Sequence, residues 1–124
     1  MIETDIPAGS GLGRSGAIDD RLELIMKCGV SGIECLDPPP LGDVELENAV
    51  ERVNGKIFMK GNVDPVSTLL HGDEEKVRSD VSTILETAGH TLAGFTLSSA
   101  CSVAPPVSEE NMKVMVDTCR AFTP

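Results

Sequence analysis

Three times along a chain of 124 residues, a helix-periodic apolar run ends at a glycine and is followed by a short apolar strand and a polar turn. In residues 17–28, Ile18, Leu22, Ile25 and Met26 fall at i, i+4, i+7 and i+8, one face of a helix, with Gly29 as its left-handed stop before a strand over 32–36. Leu46, Ala49, Val50 and Val53 share a face of the next helix, which Asp43 can cap and Gly55 can stop before a strand over 56–60. Asp64-Pro65 then has the form of an N-cap and an N1 proline for a short helix to Leu70. Asp73 can cap a longer helix through Ala88, with Val77, Val81, Ile84, Leu85 and Ala88 inward and Gly89 at its end. A strand over 94–98 follows, then a last helix begun by Ser108, Glu109 and Glu110 and facing inward through Met112, Met115, Val116, Cys119 and Phe122.

The order is αβαβααβα, and it restricts the topology. Strands separated by helices have to be parallel, because each connection returns the chain to its starting end by a right-handed crossover. The three turns that follow the strands therefore emerge on one face. They are Asp37-Pro38-Pro39-Pro40-Leu41-Gly42-Asp43, Gly61-Asn62-Val63-Asp64-Pro65, and the small-residue run around Cys101. The predicted class is α/β, a partial TIM-type (β/α)8 barrel of about three parallel βα units plus a leading helix. A closed barrel of this type takes eight strands and about 250 residues. A chain of this length is expected to supply under half of one, with two open sheet edges, and so to be a homo-oligomer or part of a longer protein.

Composition narrows the partners. A formal net charge of −10 argues against nucleic acid or an anionic membrane surface, both of which need a positive footprint. No apolar run approaches the length of a membrane span, and Cys28, Cys35, Cys101 and Cys119 form no CxxC pair. The expectation is reduced thiols in a cytoplasmic protein. Cys28, Cys35 and Cys119 lie on apolar helix faces or in a strand and are assigned to the core.

Cys101 can be a metal thiolate, a nucleophile or a small turn residue. Zinc needs three or four ligands, and neither His71 nor His90 is placed to help, so zinc is expected only if other ligands are supplied. Asp43 and Asp64 have an ordinary explanation as N-caps. A separate motif, Gly11-Leu12-Gly13-Arg14-Ser15-Gly16, matches G-x-G-x-x-G, with Glu34 and Asp37 following at dinucleotide-binding distance. Against it, Pro7 breaks the preceding strand candidate, and Asp19 and Asp20 place negative charge where a pyrophosphate would lie.

Residues 29–122 resemble the C-terminal part of the uroporphyrinogen decarboxylase superfamily, which includes cobalamin-dependent methyltransferases. The resemblance rests on Gly32-Ile33-Glu34-Cys35-Leu36-Asp37-Pro38, on Gly61-Asn62-Val63-Asp64-Pro65 through Gly72, and on the Cys101-Ser102-Val103-Ala104-Pro105 turn with Glu110-Asn111-Met112 after it. It implies that residues 17–124 are the C-terminal part of such a barrel, with residues 1–16 a loop or weak strand, and an active site at the strand ends. It also implies a tetrapyrrole, corrinoid or small thiol substrate. At the last turn the decarboxylases of the family resemble this chain with a histidine in place of Cys101, whereas the methyltransferases carry a zinc-binding cysteine, so Cys101 points to the methyltransferase-related branch. The His-x-Cys-Gly segment that completes zinc ligation in that branch corresponds here to Ser10-Gly11-Leu12-Gly13.

The site expected from this reading has Cys101 as catalytic thiol or metal ligand, Asn62 and Asp64 at the pocket floor, and Glu34 and Asp37 as its polar wall. The alternatives are a non-catalytic oligomer that keeps the fold, and a dinucleotide-binding domain using Gly11, Gly13 and Gly16.

Overall fold

The computed structural model describes residues 21–34 and 36–123. Its elements are α1 (Leu22–Lys27), β1 (Gly32–Glu34), α2 (Leu46–Val53), β2 (Phe58–Val63), a wide helical turn (Pro65–Leu70), α3 (Glu74–Ala88), β3 (Phe95–Ser99) and α4 (Glu109–Ala121). The three strands form one parallel sheet in the order β1-β2-β3. Glu34 pairs in register with Lys60, and Asn62 with Ser98. The chain is thus an α/β protein of βα units, consistent with part of a TIM-type barrel. No helix among the described residues is long and apolar enough to cross a membrane.

Strand side chains alternate between the two faces of a sheet, and here the two faces have different surroundings. Ile33, Met59 and Phe95 lie against a core cluster with Leu22, Val44, Leu46, Ala49 and Val53. Val63 and Leu97 join a second cluster with Leu69, Val77, Val81, Leu85 and Val114. All the helices contribute to this one side. The opposite face carries Glu34, Phe58, Lys60, Thr96 and Ser98. Phe58 remains 40% exposed, and its ring lies so close over Gly32 that a Cβ there would stand 2.2 Å from it.

Local signals account for most helix ends. Asp73 accepts the Lys76 N–H at 2.9 Å, and Ser108 accepts the Asn111 N–H at 3.1 Å, with acidic residues in both first turns. Asp64 caps the turn that Pro65 opens, accepting from the Val66 and Ser67 amides at 2.7 and 2.8 Å. That turn is wider than an α-helix: the Leu69 amide donates to the Asp64 carbonyl and the His71 amide to Val66, both across five residues.

Several expectations are corrected. Asp43 does not cap α2; the cap position is Glu45, which makes no capping side-chain bond. Burial sets that helix start instead, because Val44 just before the cap and Ala49 one turn in are both fully buried in one cluster. Its stop is shared by Asn54, left-handed at φ 46°, and Gly55. Gly89 ends α3 as expected while staying right-handed at φ −64°, and its need for glycine is steric: a Cβ would stand 2.5 Å from the Leu85 carbonyl oxygen. Strand β1 is described over Gly32–Glu34 and does not include Leu36, and β2 begins and ends later than expected, with Asn62 and Val63 inside it because they pair with Ser98 and Ser99. On α4, Met112, Met115, Cys119 and Phe122 pack against the second cluster as expected, whereas Val116 is 38% exposed and Asn111, Val114 and Thr118 are the buried residues. Asn111 donates to the Leu69 and Gly72 carbonyls at 2.9 and 2.8 Å. Cys28 is exposed beyond the end of α1 and is not the core residue expected, whereas Cys119, half-buried, packs against the second core cluster as expected; Cys35 lies outside the described residues.

Candidate functional site

The carboxyl ends of β1, β2 and β3 lie side by side, so their following turns share one rim. The Ala100 amide donates to the Val63 carbonyl at 2.8 Å, which fastens the start of the Cys101 turn to the end of β2. The Asn62 amide group donates to the Leu36 carbonyl at 3.0 Å and holds the β1 turn against the same strand. Asn62, 3% exposed, thereby links two of the three turns.

The rim holds two separate hollows. On the open sheet face, a groove of about 250 Å³ is lined by Glu34, Lys60, Ser98, Ser99, Cys101 and neighbouring residues. Cys101 is exposed in it and lies in no disulfide. Lys60 donates to Glu34 at 3.1 Å across the two strands, with side chains 39% and 62% exposed. An exposed pair of this kind contributes about 0–1 kcal/mol, so it stabilises the fold little while keeping two opposite charges in the groove.

The second hollow, about 300 Å³, opens toward the helices, between Pro38 and Pro39, the start of α2, the 65–70 turn and α3. Asn62, Asp64, Ser67, Thr68 and Asp80 line it. Thr68 donates its hydroxyl to Asp80, which also takes the Lys76 ammonium at 2.8 Å.

The sequence placed Cys101, Glu34, Asp37, Asn62 and Asp64 around one pocket. The structure brings Glu34 and Cys101 together in the open groove and puts Asn62 and Asp64 in the other hollow. Asp37 lies in the turn that Asn62 holds and is only 6% exposed, with Oδ1 lacking a hydrogen-bond partner among the described residues. Burial, and then the Asp64 charge, push the Asp37 carboxyl above its ordinary value. Burial also raises Asp64, but the Ser67 hydroxyl, the Ser67 and Val66 amides and the Lys76 ammonium outweigh it and hold that carboxyl below the usual range. Sequence reading missed Lys60. Its signal was register: Lys60 lies inside the expected strand, and it stands opposite Glu34 once β1 and β2 pair.

Zinc does not fit the residues at hand. Among the described residues no three of His, Cys, Asp and Glu stand close enough to hold a metal ion, and the groove offers only Cys101 and Glu34 as ligand types. Ser10, Gly11, Leu12, Gly13 and Gly16, and with them the dinucleotide motif, lie outside the described residues.

Comparison with known proteins gives the relationship. The family model described as uroporphyrinogen decarboxylase matches residues 14–122. The chain belongs to the uroporphyrinogen decarboxylase family. Among curated proteins, it is 35% identical over 103 residues to the uroporphyrinogen decarboxylase of Ruthia magnifica, an alignment covering 82% of this chain and 27% of that protein. It is 34% identical over 80 residues to the enzyme of the same name from Pseudoalteromonas translucida, covering 64% and 22%. The chain therefore spans about a quarter of the length of these family members.

Proposed function

We propose that this chain carries part of the substrate rim of a uroporphyrinogen decarboxylase-type barrel and engages a tetrapyrrole or corrinoid there, with Cys101 as the reactive thiol. The observation that carries the reading is the convergence of Cys101, Lys60, Glu34 and Ser98 in one groove on the open sheet face, at the strand ends where barrel enzymes place their chemistry. Family membership supplies the ligand class. A thiol at this position, where the resemblance gives the decarboxylases a histidine, supports kinship with the corrinoid and thiol methyltransferases. Glu34 would form the groove wall. Asn62 would fix the two flanking turns, Asp64 would start the turn behind them, and Asp37 would brace the first.

The isolated chain is expected to bind without turning over. The groove has walls on one side only, and a site that does not exclude water gives its charges little leverage on a transition state. Titration with a carboxylated porphyrin and, separately, with hydroxocobalamin tests the reading through the absorbance bands of each ligand. Saturable shifts with either one support it; no saturable change with both overturns it.

A second reading, a non-catalytic oligomer retaining the fold, draws support from the outer edges of β1 and β3, unpaired among the described residues, and from the 40% exposed Phe58. Solution mass checks it. An oligomer that binds neither ligand favours this reading, and a monomer removes it.

A further inference from the structure

We propose that Lys60 makes the Cys101 groove selective for carboxylates, with Glu34 as the internal carboxylate that an incoming one displaces. The inference rests on the reading above only for which carboxylate arrives, and its physical basis is local. Lys60 is the one cation among the described residues lining this groove, and the rest of the lining is Glu34, three serines, Ala100 and Cys101. The chain carries 20 acidic against 10 basic residues, so a cation placed here works against the general field of the molecule.

Placement favours exchange. Glu34 and Lys60 are register partners on adjacent parallel strands, so their backbones hold the two charges at a fixed spacing on the open face. Their contact at 3.1 Å is a single ammonium to carboxylate hydrogen bond with both side chains well exposed. An ammonium has three donors. It can keep Glu34 and donate to a second carboxylate, or exchange its bond to Glu34 for one to the newcomer, since exposed pairs of this kind are weak. Ser98, register partner of Asn62 at the end of β2, and Ser102 add hydroxyls to the same lining. A ligand acid group docked on Lys60 is thereby brought into the groove that holds the Cys101 thiol.

Cys101 itself supplies the readout. The full chain is alkylated under identical conditions with iodoacetate, which carries a carboxylate, and with iodoacetamide, which does not. The rate at the Cys101 peptide is followed by mass spectrometry, with exposed Cys28 as internal control. The ratio of the two rates at Cys101 is expected to fall about threefold in Lys60→Met, the effect of one charge a few ångströms away in a water-like dielectric. It is expected to persist in Lys60→Arg and to rise by a similar factor in Glu34→Gln. High salt should flatten both differences. A ratio unchanged in Lys60→Met and in Glu34→Gln, with Cys28 steady, overturns the proposal. These rates do not depend on any porphyrin or cobalamin titration. Carboxylate selectivity without tetrapyrrole binding would sink the proposed function alone, and tetrapyrrole binding indifferent to Lys60 would sink this inference alone.

Discussion

One face of the sheet is filled by volume and the other is marked by charge, although both are built from the same three strands. Ile33, Met59 and Val63 are buried beneath the helices, while Glu34, Phe58, Lys60 and Thr96, one residue along from them in β1 and β2 or paired across in β3, meet water. Parallel sheets are ordinarily covered on both faces, because crossover helices and a closed barrel leave no side free. The difference teaches that stability and chemistry are separated by the two-residue period of the strand. Substitutions on the helix side should act on folding, and substitutions on the open side should act on ligands.

The largest effect that could break this contrast is at Met59. Met59→Ala removes a fully buried side chain in the cluster with Leu36 and Val53, and should cost about 2–5 kcal/mol in denaturant unfolding. Its open-face counterpart one position along, Lys60→Met, should stay within about 0.5 kcal/mol. Similar penalties at both positions would mean that the open face is covered in solution.

Next in size is Asn111, whose amide group donates to two carbonyls beyond its own helix. Asn111→Ala leaves the Leu69 and Gly72 carbonyls without that partner and should cost about 1–3 kcal/mol. Faster amide hydrogen exchange in the 65–70 turn would locate the loss. If exchange quickens only within α4, the clasp is not what holds that turn.

How far such contrasts can be read from sequence depends on the signal. The helix order, the caps Asp64, Asp73 and Ser108 and the parallel strands were legible because each rests on a short-range rule, and the structure shows them. The start of α2 was not, since Val44 and Ala49 meet only through tertiary burial that overrides a good capping residue at Asp43. The inner face of α4 was legible at Met112, Met115, Cys119 and Phe122, but not at Val116, which stays exposed, or at the buried Asn111. A buried asparagine looks polar in sequence, and only the folded chain shows the two long-range carbonyls that satisfy it. The common rim was legible from connectivity, but its division into two hollows was not, because that depends on where β2 ends.

A smaller effect is expected at Asp64, where Asp64→Ala removes a cap that accepts two amides and should cost about 0.5–2 kcal/mol at neutral pH. Asp64→Asn keeps an acceptor and should lose less. Because the folded-state carboxyl is held below its usual range, its contribution is present above the unfolded-state value and is lost as pH falls through the folded one. Thermal melts of wild type and Asp64→Ala should therefore converge only in strong acid, and a gap constant with pH would show that the charge plays no part in the cap.

Asp37 supplies the smallest effect and the opposite sign. Its carboxyl is raised by burial and then by Asp64, so the ionised form is disfavoured in the folded chain. The stabilising contribution of the protonated form is complete below the unfolded-state value of about 3.9 and disappears as pH rises through the higher folded-state value. Where Asp37 is ionised, it is a buried carboxylate whose Oδ1 has no hydrogen-bond partner among the described residues. Asp37→Asn keeps the shape and removes the charge, and should raise the melting temperature by a few degrees at pH 7. That gain should shrink as acid protonates Asp37 in the wild type. A variant that melts below wild type at pH 7, with a gap that closes in acid, would mean that the Asp37 carboxylate has a favourable partner and that the rim depends on its charge.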